Sequence, residues 1–235
     1  MNNNDNPFEI NHFNNADEIL TFLRKNPMWL SGFTCGEGCF TGYLSLDKKS
    51  LWGLQPGLDF NITQSTRDVL LLEAINAFFE HKGGVYNKPN NVSVVAFRNV
   101  KVLKENIAPF FQNYPLLALA PAPKGPGLKL DSVPGPLARG RKLGIKSYEF
   151  ERWLKLLDIF YNKKHLGKHI NTKSFILDFA EICKNLNKNR INNIKQNRID
   201  IIIDWLNKLD TYPSEEEKLI LIELVKSNSI KNIPS

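Results

Sequence analysis

Hydrophobic positions along the first half of the chain switch between two periods. "PMWLSGFTCGEG" is apolar at almost every step, as a packed helix is, and it stops at glycine. "CFTGYLSLD" alternates: Phe40, Gly42, Leu44 and Leu46 share one face, and Thr41, Tyr43, Ser45 and Asp47 share the other. "GLDFNITQ" alternates too, with Leu58, Phe60 and Ile62 inward and Asp59 and Asn61 outward. "TRDVLLLEAINAFFEHKGG" predicts an amphipathic helix stopped by Gly83-Gly84. "GVYNKPNNVSVVAFRNV" predicts a hairpin around Pro89-Asn90-Asn91, and "VKVLKENIAPFFQN" a further short helix. The order is α-β-β-α-β-β-α, an α+β domain with an antiparallel sheet and its helices on one face. Residues 1–27 form a polar N-terminal extension with a short helix at "NADEILTFLRKN", capped by Asn15 or Asp17.

The pattern breaks at residues 118–143, "ALAPAPKGPGLKLDSVPGPLARGRKL". This stretch holds five of the thirteen prolines and neither Asn nor Ile. Its composition needs GC-rich codons, whereas the Asn, Ile and Lys of the rest need AT-rich ones. Proline density at this level excludes a regular element, so the stretch is expected to be an insertion within a domain spanning 28–186. Helices follow: "SYEFERWLKLLDIFYNKKHLGK" capped by Ser147, then "NTKSFILDFAEICKNLNK" capped by Asn171 or Thr172. "IKQNRIDIIIDWLNKLD" and "PSEEEKLILIELVKSNSIKNIPS" then make a C-terminal helical extension, 187–235.

Charge narrows the function. The 235 residues carry a net charge of +7, with a pI near 9.2, which favours a polyanionic partner. No apolar run approaches the roughly 18 residues of a membrane span, so no membrane partner is expected. Cys35, Cys39 and Cys183 lack the spacing of a zinc site or a disulfide framework. The Asn-rich start, with acids before any base, is neither a secretory signal nor an Arg-rich transit peptide. The AT-rich codon bias suggests an organelle gene, most simply a mitochondrial one.

The stretch Leu30-Ser31-Gly32-Phe33-Thr34-Cys35-Gly36-Glu37-Gly38 resembles the signature of the LAGLIDADG homing endonucleases, which cut double-stranded DNA at long, rare sites. "NITQ" on the second strand and "YPLL…GIKSYEFERW" extend the resemblance over roughly residues 27–185. It implies a saddle-shaped antiparallel sheet, a pair of signature helices packed face to face, and an interface made by Leu30, Ser31, Gly32 and Phe33. Small residues there let two backbones approach. Each helix would deliver one acid to the shared axis, where two carboxylates repel unless divalent cations sit between them. Glu37 is the implied metal ligand, with the Gly36 carbonyl as a further donor, and Mg²⁺ suits an oxygen-only set. Gln64 matches a polar residue that orients water, and Lys146 a basic residue near the scissile phosphate. The implied catalytic set is therefore Glu37, Gln64 and Lys146.

The outward strand face would enter the major groove, which admits a two-stranded ribbon. Its candidate readers are Thr41, Tyr43, Ser45, Asp47, Lys48, Lys49, Asn61, Asn87, Lys88 and Arg98, and candidate phosphate contacts are Lys101, Lys163, Lys164 and Lys168. The sequence departs from the family pattern in three ways. Cys35 stands where the family often has Asp, the insertion immediately precedes Lys146, and only one motif is present. A single motif implies a homodimer, although several features resemble the second half of a two-motif member, whose partner would be another chain. The alternative is a domesticated, non-cleaving relative that binds structured RNA, as an intron maturase or ribosome-associated protein.

Overall fold

The computed structural model describes residues 13–116, 136–162, 173–186 and 194–230. Asn15 opens helix α1 (Ala16–Lys25): its side-chain oxygen accepts from Glu18 N at 3.0 Å, and its amide donates to the Glu18 carboxylate at 3.1 Å. The first bond satisfies one of the backbone donors that a first turn leaves orphaned, and the second holds the cap side chain in place. Helix α2 (Pro27–Glu37) starts on a proline, whose missing N–H is not needed there. Gly38 turns α2 directly into strand β1 (Gly38–Leu46). A Cβ at Gly38 would strike the Thr34 side chain and lie 2.7 Å from its carbonyl oxygen, so only glycine makes this junction.

Strand β1 pairs antiparallel with β2 (Leu54–Ser65), β2 with β4 (Val92–Phe97), and β4 with β3 (Gly84–Lys88), giving the order β1-β2-β4-β3. A 3₁₀ turn, Thr66–Asp68, leads into helix α3 (Val69–Phe78), which joins the two hairpins. Asn90 and Asn91 turn the second hairpin with φ of 64° and 54°, a left-handed conformation that Asn tolerates. Residues 100–113 are helical throughout: α4 (Val100–Val102), a π-helical turn Leu103–Ile107, and α5 (Ala108–Asn113). The widened turn precedes Pro109, where a proline ring and missing N–H need room. The α-β-β-α-β-β-α order and the α+β class stand.

Three details differ from expectation. First, β2 starts at Leu54 and runs through Pro56. Asp47 N donates to Gly53 O at 2.9 Å, so the pairs Ser45–Gln55 and Tyr43–Gly57 carry the ladder bonds while Leu44–Pro56 does not. Pro56 therefore removes no bond to β1. Second, α3 ends at Phe78, before the glycines, because Glu80 and His81 adopt φ of 57° and 54°. The Asn76 side chain then accepts Gly83 N at 2.9 Å and fixes the exit. Third, helix α6 spans Pro136–Tyr161, so it begins well before Ser147 and takes in 136–143 of the proline-rich stretch. Pro136 is a first residue, where proline is compatible with a helix. Residues 118–135 lie outside the described residues.

Phe40, Phe60, Phe97, Phe111 and Trp153 are all buried between the sheet and the helices, with ring centroids 4.9–6.0 Å apart for the Phe40–Phe60, Phe40–Phe111, Phe40–Trp153 and Phe60–Phe97 pairs. Trp153 Nε1 donates to Asp59 O at 3.0 Å, which locks α6 onto β2. Helix α7 (Lys173–Leu186) lies beside α6 on β1. The expected capping residues Asn171 and Thr172 lie outside the described residues. A Cβ at Gly42 would stand 2.6 Å from Leu156 Cδ1 and 2.9 Å from Cys183 Sγ, so these helices sit close on the strand backbone. Burial in this layer raises the Cys183 thiol pKa far above its ordinary range. Helix α8 (Ile194–Lys208) packs on α7, and helix α9 (Glu215–Ile230) packs on α8 and, with the segment that precedes it, meets the β1–β2 loop. Trp52 meets the Tyr212 ring at 4.9 Å, and Lys218 Nζ donates to Lys48 O at 3.4 Å and pairs with Glu215 at 2.8 Å.

Candidate functional site

Helix α2 has two flanks with different partners. Leu30 and Ser31 are fully buried within their own chain, and Ser31 Oγ lies within donor distance of the carbonyls of Tyr114 (2.8 Å) and Pro115 (3.1 Å). These two residues therefore hold α2 to the core and do not present themselves to a second helix, contrary to expectation. Gly32 and Phe33 do lie on the open flank, with Met28, Trp29 and Gly36. Trp29 and Phe33 stack at 5.1 Å, and a Cβ built on Gly32 or Gly36 meets nothing within 4 Å. The flank is apolar; Trp29 also meets Phe22 of α1 at 5.7 Å, while Met28, Trp29 and Gly36 remain exposed.

Glu37 ends this helix and is exposed. No base lies in the last turn, and among the described residues no cation is within ion-pair distance of Glu37. A carboxylate at a helix C-terminus adds negative charge where the macrodipole is already negative, and the last carbonyls lack intrahelical donors. This end of α2 is therefore an uncompensated oxygen-rich site whose electrostatic complement is a cation. Among the described residues no three His, Cys, Asp or Glu side chains cluster as a metal site. One chain thus supplies one carboxylate and neighbouring carbonyls, of which the Gly36 carbonyl is one. That hard-oxygen set fits Mg²⁺ and leaves coordination positions for other ligands.

Register places Gln64 close by. Gly38 pairs with Ile62, so Gln64 extends past the start of β1 toward the end of α2, and it shares the strand parity of Ile62. Lys146 is on α6, where its Nζ pairs with the Glu149 carboxylate at 2.9 Å. Both side chains are largely buried, which makes Lys146 a held ammonium and not a loose surface lysine.

The outward sheet face matches the alternation. Thr41, Tyr43 and Ser45 on β1 and Asn61 on β2 are turned away from the core, as are Lys88 and Arg98. Asn87 is a correction: it pairs with Ser93, has the opposite parity to Lys88, and its side chain accepts from Ser93 Oγ at 2.8 Å. Asp47, Lys48 and Lys49 are in the β1–β2 loop, where Asp47 Oδ1 accepts Lys49 N at 3.0 Å and the two lysines are exposed. Tyr43 lies over Gly57, and its hydroxyl pKa is raised by burial and by Asp59, with Arg98 pulling the other way. Arg98 is 4.0 Å from the Asp59 carboxylate and 5.6 Å from the Tyr86 ring centre. Lys101 is exposed on α4, 4.0 Å from Glu105; Lys163, Lys164 and Lys168 lie outside the described residues. A groove of about 580 Å³ runs over this face. Thr63, which the strand parity of Asn61 would have found, lines it, and so does Arg198 of α8, for which no local signal exists.

The family model described as LAGLIDADG endonuclease matches residues 30–119, from the open flank of α2 through both hairpins. Over these residues the chain is similar to the LAGLIDADG endonucleases. A curated relative, the probable intron-encoded endonuclease 3 of Neurospora crassa, is 26% identical over 168 residues, which are 69% of this chain and 25% of the relative. The chain thus spans about a quarter of the length of that relative. The crystal structure of the homing endonuclease I-TnaI shares the fold at a TM-score of 0.56 and 23% identity, covering 77% of this chain and 97% of that one. I-SmaMI bound to an uncleaved DNA target with calcium ions shares it at 0.53 and 22%, covering 69% of this chain and 45% of that one.

Proposed function

We propose that this chain is a site-specific double-stranded DNA endonuclease of the homing type, working as a homodimer with a divalent metal. The end of α2 carries the reading: an exposed carboxylate at the negative pole of a helix whose open flank has room for a second backbone at Gly32 and Gly36. A second copy packed on that flank would bring its own Glu37 beside the first and complete an oxygen site that one chain only half supplies. A divalent cation held there by Glu37 and the Gly36 carbonyl would supply Lewis acidity for phosphodiester hydrolysis. Gln64, whose strand register carries it toward the end of α2, would orient water by its amide. Lys146 would bring positive charge to the phosphate, once it exchanges Glu149 for that partner.

The outward face would bind the duplex, with Thr41, Tyr43, Ser45, Asn61, Lys88 and Arg98 toward base edges and Lys48 and Lys49 toward phosphates. The DNA-bound state of I-SmaMI supports duplex DNA as partner. The RNA-binding alternative gains nothing from these likenesses. An organelle gene, mitochondrial by its codon bias, fits a fungal intron-encoded relative. The test is selection of cleaved products from a randomised duplex library with Mg²⁺ and with EDTA. One long target motif, cut only with metal, is the expected result; recovery of no motif would overturn the reading.

A further inference from the structure

The groove over the outward sheet face has a wall that does not belong to the segment matched by the family model. Residues 30–119 supply its floor; Arg198 and Ile199, from helix α8, close it along the outer edge of β1. Arg198 reaches this position through the strand edge. Its Nη2 donates to Leu44 O at 3.1 Å, across 154 residues of sequence. The Leu44–Pro56 pair carries no ladder bond, so this carbonyl points out of the sheet and is open to a side chain.

That one bond does not satisfy the guanidinium. Arg198 is half-buried, and its Nε is buried without a hydrogen-bond partner among the described residues. Among them, too, no carboxylate stands within ion-pair distance of it. Two candidate acids have other partners: Asp200, two residues on in sequence, pairs with Lys184 at 2.7 Å, and Asp59, which also lines the groove, lies 4.0 Å from Arg98. Burial pulls the Arg198 pKa below its ordinary value, the mark of a cation that has lost water and gained no anion. A guanidinium has five donors in a fixed fork, matched to carboxylate or phosphate oxygens. The same groove is lined by Lys88 as well as by Asp59, so two cations and one acid face a ligand there.

We propose that Arg198 is a DNA-contacting residue: it donates to a backbone phosphate of duplex DNA seated in the groove, so that helix α8 forms one wall of the DNA site. The proposal rests on the duplex-DNA reading above. It gives the C-terminal helices a direct part in binding, because one side chain both ties α8 to β1 and meets the phosphate. A phosphate contact positions the duplex without reading its sequence, so its loss weakens every duplex alike.

The test is fluorescence anisotropy with two unrelated mixed-sequence 30-base-pair duplexes, from about 50 to 200 mM salt. Arg198→Gln keeps an amide donor for the Leu44 carbonyl and removes the charge; Arg198→Lys keeps the charge. In Arg198→Gln the salt slope of log affinity should fall by about 0.9, the contribution of one phosphate contact, equally on both duplexes. Arg198→Lys should retain the wild-type slope. Wild-type slope in Arg198→Gln, with a lower melting temperature, would overturn the proposal and leave Arg198 a strand-edge tie. Lys88→Ala serves as the control: if it weakens binding while Arg198→Gln does not, the DNA reading stands and this proposal falls. A wild-type chain that binds neither duplex, or prefers an RNA hairpin, overturns both.

Discussion

Strand β1 has two ends made in different ways. At Gly38 the chain runs straight out of α2, and everything that matters there is local: Thr34 against Gly38, Glu37 and Gly36 just before it, and Gly32 further back in the same helix. At Leu46 the strand enters a loop whose neighbours come from the far end of the chain. Trp52 rests on Tyr212, Lys48 O on Lys218, and Leu44 O on Arg198. The first end carries an exposed acid with no ion-pair partner among the described residues; the second has its backbone held by side chains from the C-terminal part of the chain. A site for chemistry keeps its valences open, whereas the loop that must carry Lys48 and Lys49 in a fixed place has its backbone tied from behind.

The sharpest way to break this contrast is to neutralise the open end. Glu37→Gln is expected to lower metal-dependent cleavage by at least about a thousandfold, roughly 4 kcal/mol of barrier. Duplex affinity and melting temperature should stay near wild type, since the side chain is exposed. Retained cleavage would move the chemistry away from α2. At the packed end the expectation reverses. Trp52→Ala empties a side chain that is only 4% exposed and should cost about 3 kcal/mol or more in denaturant unfolding. Cleavage per folded molecule should change little. Unaltered stability would show that α8 and α9 do not brace the loop.

Two glycines sharpen the comparison further. Gly42→Ala puts a methyl group against Leu156 and Cys183 and should destabilise by about 1–3 kcal/mol, read as a shift in the unfolding midpoint. Gly32→Ala meets open space within its own chain, so the monomer should gain about 0.5–1 kcal/mol of helix stability while sedimentation shows weaker self-association. Unchanged association would place the self-contact on another surface.

The signature helix, the alternation of β1 and β2 and the Asn90-Asn91 hairpin were all legible, because each depends on residues within a few positions of one another. Orientation was less legible. A helix as evenly apolar as α2 does not say which flank is its own core, so the pattern cannot tell that Ser31 is spent on Tyr114 and Pro115 and not at an interface. Asn87 was placed beside Lys88 although strand parity separates adjacent residues. Proline density hid the start of α6, since Pro136 stands at the one helical position that accepts it. Arg198 was invisible for a different reason: its role depends on a carbonyl that faces outward only once the register of Leu44 with Pro56 is known.

The tie at Leu44 also bears on what the chain avoids. A nine-residue strand at the margin of a sheet is a template on which another polypeptide can lay down a strand, the first step of fibre growth. Arg198 occupies one of the acceptors in the middle of that margin, so an incoming strand would find its hydrogen-bond row interrupted. The opposite margin, β3, is five residues long and runs out at Lys88 and Pro89, which offer a charge and then no donor. With both margins blunted, strand-on-strand growth is obstructed, and neither margin competes with the helix flank at Gly32 that is proposed above for pairing.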